Sequence, residues 1–507
     1  MLALIVAVRA SIAILLSTVV VASCSQPAER TAPADLVVAR AADVTTLDSD
    51  AIATSRQGGE TYGLITQSLY TIDATGALRP VVAESHTVSA DKLAWTFVLH
   101  PDIRFSTGAR LTAADVKFTI EHAQKGALQG ELYAGITSIE TPDDRTVVLR
   151  TAKPDSGLLY SLAGYPASII PKDFGGMDEQ AFWRDPIGSG PFMVDRWEQG
   201  RQIRLVPNPQ FRGERPALAS LTFRPVPDGQ TRTLQARNGQ ADIVEDVPYP
   251  QIAAIQTDSA LRVVELPTPI AVLLTLNTAK PPFDDLHARR AVSLAIDRQQ
   301  LVQATLLGHG QPAGSFLAAS TLSGWQPEFG VRHDLEAARA ELARSSSPGG
   351  FSFEIIYDAA DTRFGTAVQV IQANLAEVGI TVTLNGTDRN TVQATYATPD
   401  WNAGVASITA TGDVGYVFQF YAATNGFGSG SALIPEVGRQ WQQSKLEFDQ
   451  SARLATYRDL VTVIAEDAAQ IGLYSTPRLY ATRAGVGPVE PLDPTGALDF
   501  SKVVATR

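Results

Sequence analysis

A chain of 507 residues that is 45% hydrophobic and carries a formal net charge of -12 is too long for one hydrophobic core and is read as two large lobes. The acidic balance excludes a nucleic-acid-binding protein. The single cysteine, Cys24, excludes an intramolecular disulfide and a cysteine-built metal site.

From Leu2 to Val21 the chain is apolar apart from Arg9, Ser11, Ser17 and Thr18, and it runs into Val21-Ala22-Ser23-Cys24 before a polar segment. A basic group, an apolar stretch and a small-residue site describe a secretory signal. Val-Ala-Ser-Cys is similar to a bacterial lipobox, which implies a signal peptide over 1–23 and lipid modification of Cys24. Acylation also removes a lone thiol, and two or more chains give stable attachment at roughly 0.8 kcal/mol per buried methylene. An uncleaved membrane anchor is the competing reading, because the run is just long enough to span. Residues 24–35, rich in Pro, Ala and Ser, read as a flexible tether.

Beyond the tether, short apolar strands alternate with amphipathic helices, which predicts mixed α/β lobes. Leu36–Ala39 and Trp95–Leu99 read as strands, and Thr112 is placed to cap a helix with Asp115 in its first turn. Thr146–Leu149 is a further strand, and Phe192–Val194 with Ile203–Val206 reads as a hairpin across Glu198-Gln199-Gly200. Leu273–Leu276 reads as a buried strand, followed by one helix over Ala288–Leu306 on whose surface Asp297 and Arg298 pair. Phe351–Tyr357 is a strand, Gly365–Val378 a helix ending at Gly379, and Ile380–Leu384 the next strand. Gly108 supplies a positive φ at a tight turn, and Pro281-Pro282 an extended run.

Four ordered segments resemble the family 5 extracellular solute-binding proteins, the dipeptide, oligopeptide and nickel binders of ABC importers. The first runs from Leu78-Arg79-Pro80-Val81-Val82-Ala83-Glu84-Ser85 through Trp95–Leu99 and Ile103–Gly108 to Leu111–Val116. The second is Gly188-Ser189-Gly190-Pro191-Phe192 with its hairpin and Asn208-Pro209. The third joins Leu276-Asn277, Pro281–Asp285, Arg290-Ala291-Val292 and Ala295–Arg298; the fourth is Ile371–Ile380. Most of these residues read as scaffold. The resemblance implies a two-lobed clam-shell that closes on ligand, with lobe I over 36–266 and again over 478–507, and lobe II over 270–476. It places an extra subdomain at about 71–186 and hinge crossings at Leu266-Pro267-Thr268-Pro269 and Ser475-Thr476-Pro477. The implied partners are a small ligand, an ABC permease and its ATPases, with a membrane reached only through the lipid anchor on the extracytoplasmic face; the protein is expected to be a monomer without a cofactor.

Peptide-binding members of this family hold the ligand's α-ammonium on a buried Asp, which maps onto Asp413 within Ala410-Thr411-Gly412-Asp413-Val414-Gly415-Tyr416. A buried carboxylate is costly unless paired, so an arriving ammonium satisfies it; the competing reading is a turn Asp bonding its own backbone. Two departures stand out. Ala410 replaces an aromatic residue, and Asp358 stands where dipeptide binders carry a carboxylate-reading Arg, leaving Arg363 as the candidate substitute or as an exposed helix-start residue. On lobe I the loop Thr54-Ser55-Arg56-Gln57-Gly58-Gly59 is either a ligand-contacting loop or an ordinary helix entry. Asn425–Ser431 reads as a lid or a surface loop, and Trp401 as lobe packing.

The rival function classes are weaker. The chain has no G-x-S-x-G elbow, no phosphate-cradling G-x-x-x-x-G-K-[ST] and no H-E-x-x-H, so it is not read as an enzyme. The six histidines (His86, His100, His122, His287, His309 and His333) are far apart in sequence. A nickel-chelate binder of the same family and a docking or signalling lipoprotein remain as alternatives to peptide transport.

Overall fold

The computed structural model describes residues 33–410, 413–418 and 434–505. Its architecture is mixed α/β and is organised by three sheets. The first has seven strands. Asp35–Arg40 lies at its centre, parallel to Ser220–Pro225 on one side and to Ile243–Glu245 on the other. The hairpin Phe192–Glu198 and Gln202–Pro207 extends one edge, with Gly200 at a φ of 77° in its turn. Leu261–Leu266 and Arg478–Arg483, an antiparallel pair, extend the other. The central strand buries Leu36 and Val38 on one face, where Leu221, Phe223 and Ile243 build the core with them, and Ala39 on the other face, each fully buried.

The second sheet has six strands in which Ile270–Leu276 is flanked antiparallel by Ala403–Thr409 and Gln470–Ser475. Ser352–Asp358 runs parallel to Ala403–Thr409 and to Thr381–Thr387. The third is an antiparallel four-stranded sheet formed by Ala83–Val88, Ala94–Leu99, Thr146–Thr151 and Ile136–Asp143. On Ala94–Leu99 the alternation of Trp95, Phe97 and Leu99 inward with Thr96 and Val98 outward is the period-two pattern of a half-buried strand.

The chain passes from the first sheet to the second between Leu266 and Ile270 and returns between Ser475 and Arg478. The two connections are tied together: the Thr268 hydroxyl donates to the Thr476 carbonyl at 2.6 Å, and the Thr476 N–H donates to the Ile270 carbonyl at 3.3 Å. Prolines 267, 269 and 477 lack an N–H, so side-chain oxygens such as Thr268 Oγ1, which takes the Ile270 N–H at 3.2 Å, complete the bonding.

Several expectations need correction. The helix anticipated over Ala288–Leu306 is two, Leu286–Ala295 and Arg298–Leu306. Ile296 is extended, and Asp297 caps the second helix by accepting from the Gln300 N–H, while its own N–H donates to Asn374 Oδ1. Nor do Asp297 and Arg298 form a surface pair. Arg298 is 2% exposed, and its guanidinium donates to the carbonyls of Gly472, Ser293 and Ile296. Burial without a bonded carboxylate pulls its pKa down to about 10. The helix before Gly379 begins earlier than Gly365, at Thr362, because Asp361 caps it. The Pro281-Pro282 peptide is cis instead of lying in a plain extended run. Thr112 and Asp115 form the anticipated cap, with the Thr112 N–H donating to Asp115 at 2.7 Å, and Gly108 has a φ of 89°.

Candidate functional site

A cavity of about 310 Å³ lies between elements of the different sheets. One wall carries the turn residues 74–77, Tyr160 and the loop residues Pro491, Asp493 and Pro494; the other carries Ala410, Asp413, Arg453, Tyr457 and Thr321, with Pro267 and Pro269 at the crossing. This volume is at the small end of the range for small-molecule sites.

Asp413 lies four positions past the end of the strand Ala403–Thr409. Its Oδ1 accepts from the Gly415 N–H at 3.0 Å and from the Tyr457 hydroxyl at 3.2 Å. The helix Gln450–Asp467, capped by Asp449 through the Ala452 N–H, presents Arg453 and Tyr457 one turn apart on one face. Arg453 Nη1 stands 4.0 Å from Asp413 Oδ2 and donates to Ser156 Oγ at 2.8 Å, and the guanidinium carbon lies 5.2 Å from the centre of the Tyr160 ring. The Arg453 side chain is 6% exposed and that of Asp413 19%. Burial opposes the charge on Arg453, but Asp413 and the flanking phenols outweigh it and hold the pKa above its ordinary value. Burial, then Asp413, pushes the Tyr457 phenol well up, so it stays a hydrogen-bond donor.

The far wall closes tightly on this pair. The Ser156 N–H donates to the Lys445 carbonyl at 2.9 Å. A Cβ at Gly157 would stand 2.7 Å from Asp413 Oδ2, so only glycine lets the carboxylate come this close to the backbone. The Thr321 hydroxyl is buried with no partner among the described residues. Such a group costs about 1–3 kcal/mol until something bonds to it.

The other anticipated residues fall elsewhere. Ser55 caps the helix Arg56–Ile65, its hydroxyl accepting from the Gly58 N–H at 3.1 Å. Arg56 pairs with Asp246 at 2.5 Å and with Glu60 at 3.6 Å. The Gly58 and Gly59 pair is explained within the protein: a Cβ would meet the Thr46 carbonyl oxygen at 2.7 Å and the Tyr165 ring at 3.0 Å respectively. Thr54 ends the short turn Ala51–Thr54. Arg363 is locked to Asp361 at 2.6 Å and is not among the residues that line the cavity. Trp401 is 4% exposed and packs edge-on against Tyr396 at 5.1 Å. Thr411, Gly412, the segment 425–431 and Cys24 lie outside the described residues. Among the described residues no cluster of three or more His, Cys, Asp or Glu is arranged to hold a metal, and no helix is long and apolar enough to cross a membrane.

Arg453, Tyr457, Tyr160 and Asp493 were missed by sequence reasoning. The available signal was the Arg453/Tyr457 pair at i and i+4 on a helix whose cap, Asp449, is legible. Nothing local announces that Ser156, 297 positions away, meets it.

Comparisons with known proteins agree with this architecture. The model of the bacterial extracellular solute-binding proteins, family 5, matches residues 77–431. The probable D,D-dipeptide-binding periplasmic protein DdpA of Escherichia coli K12 is 27% identical over 459 residues, covering 87% of this chain and 88% of that protein. The glutathione-binding protein GsiB of Salmonella typhi is 30% identical over 366 residues, 70% of each chain. The structure of Helicobacter pylori DppA in complex with the peptide STSA superposes with a TM-score of 0.77 at 23% identity, covering 94% of this chain and 99% of that one. With the family model spanning well over half of the sequence and the two-lobed fold in place, the chain belongs to the bacterial extracellular solute-binding proteins of family 5.

Proposed function

We propose that this protein captures short peptides outside the cytoplasm, holds their α-ammonium on Asp413, and delivers them to the permease of an ABC importer. The observation that carries the reading is Asp413 itself, a mostly buried carboxylate on the wall of the inter-lobe cavity, aligned by the Gly415 N–H and the Tyr457 hydroxyl. An ammonium at that point gains a charge-assisted hydrogen bond where water is largely excluded. Relatives named for D,D-dipeptide and glutathione binding, and a fold neighbour holding the peptide STSA, support a peptide-like ligand.

Arg453 is the one cation among the described lining residues, and it is committed to Asp413, Ser156 and Tyr160. It therefore positions Asp413, and the peptide's carboxylate end is read without a free guanidinium. In the same reading residues 1–23 are removed, Cys24 is acylated, and the protein works as a lipid-tethered monomer.

Mass spectrometry tests both parts. Protein purified gently and then denatured is expected to release a mixture of short peptides, and the full-length protein from membranes is expected to carry diacylglycerol on Cys24. A single non-peptide mass, such as a metal chelate, would replace the proposed ligand, and an unmodified Cys24 would remove the anchor.

A further inference from the structure

The cavity presents a second carboxylate, from a part of the chain distant from Asp413. Asp493 lies in the loop between the bridge-paired residues Pro491 and Leu498. The loop is clamped: the Tyr480 hydroxyl donates to the Gly496 carbonyl at 2.7 Å, and the Gly496 N–H donates to the Asp493 carbonyl at 3.1 Å. Within it, Asp493 Oδ1 accepts from the Thr495 N–H at 2.8 Å and from the Thr495 hydroxyl at 2.6 Å. Both bonds fall on Oδ1, which leaves Oδ2 without a hydrogen-bond donor among the described residues.

The charges around the cavity do not balance. Arg453 is already matched with Asp413. Arg478, which also acts on Asp493, is bonded to Glu60 at 2.6 Å. Burial raises the pKa of the Asp493 carboxyl, the Thr495 bonds oppose that, and the nearby charge of Glu60 raises it again. An under-compensated carboxylate in a closed site favours a cation.

We propose that Asp493 is a specificity residue that reads a second positive group on the ligand, so that the preferred substrates are short peptides bearing a lysine-, ornithine- or arginine-type side chain. This rests on the peptide reading above. Anionic peptides are disfavoured by the same field, because the described lining residues include two carboxylates and one guanidinium.

The test compares Ala-Lys with Ala-norleucine, and Lys-Ala with norleucine-Ala, by calorimetry at low salt, with putrescine as a non-peptide dication. Wild-type protein is expected to prefer each lysine peptide by roughly tenfold, the effect of one added ion pair in a partly buried site. Asp493→Asn, which keeps an acceptor for Thr495 at Oδ1, should bring that ratio close to one. A wild-type ratio near one overturns the proposal whether or not the variant folds, and an unchanged ratio in a folded variant overturns it too. If only putrescine binds and Asp493→Asn weakens it, the peptide reading falls while the cation reading stands. If neither the peptides nor putrescine bind, both fall.

Discussion

A carboxylate this close to a backbone imposes a size limit on its neighbour. Gly157 has ordinary helical dihedrals (φ -80°, ψ -11°), so alanine there carries no backbone strain. Its Cβ would nonetheless stand 2.7 Å from Asp413 Oδ2 and 3.2 Å from Asp155 Oδ1. Gly157→Ala should therefore displace the Asp413 carboxylate and weaken peptide binding by roughly tenfold, about 1.4 kcal/mol, while the melting temperature changes little. Calorimetry together with a thermal melt checks this, and unchanged affinity would mean that Asp413 does not touch ligand. The same contact shows why the site was only half legible in the sequence. Asp413 stood out through the Thr411-Gly412-Asp413 stretch, but its surroundings come from residues distant in the chain. Gly157 has no local pattern that marks it, and the Arg453/Tyr457 pair shows a helix face without showing that it meets Asp413.

At the scale of elements, the helix Arg56–Ile65 is pinned to the first sheet by buried charge. Glu60 meets Arg478 at 2.6 Å, Arg40 at 3.5 Å and Arg56 at 3.6 Å, and Arg40 also meets Glu245 at 3.1 Å. Burial works against the Glu60 charge, but Arg478, Arg56 and Arg40 outweigh it and hold the carboxyl below its ordinary pKa. Glu245, bonded only to Arg40 among these, is pushed up by burial. Glu60→Gln leaves three guanidinium groups without their shared counter-charge and should cost about 3–5 kcal/mol of stability at neutral pH. A depressed acid contributes stability that is present above its unfolded pKa and is lost as pH falls through the folded one. The deficit of the variant, measured by urea unfolding, should therefore be full above the pKa of an unfolded glutamate, about 4.3, and shrink as pH falls below it; a deficit independent of pH would show that the charge of Glu60 is not what holds the helix. This network was invisible to sequence reading, which left the loop of Arg56 open between a ligand contact and a helix entry. Strands such as Ala94–Leu99 were legible because alternation is local. The break at Ile296 was not, since the apolar period runs on through Leu301 and Val302 and only the capping role of Asp297 betrays it.

On the scale of the whole molecule, two sheets joined by two short crossings enclose a cavity to which both halves contribute charge. The contacts that bring the halves together are polar and apolar: Ser156 with Lys445 and Arg453, His309 with Glu265 at 2.9 Å, and Phe448 against Trp95 with ring centres 5.7 Å apart. Contacts made by side chains across two short crossings can part while each sheet keeps its own core, which suits a receptor that closes around a ligand and opens to release it. In the proposed function, closure is built around an α-ammonium on Asp413. Its most direct test is calorimetry of one dipeptide and its N-acetylated form against wild-type protein and Asp413→Ala. Acetylation, which removes the ammonium charge, is expected to weaken wild-type binding by about 100-fold, or about 2.7 kcal/mol, and Asp413→Ala is expected to bind both forms equally weakly. Equal binding of the two forms by wild-type protein would contradict it.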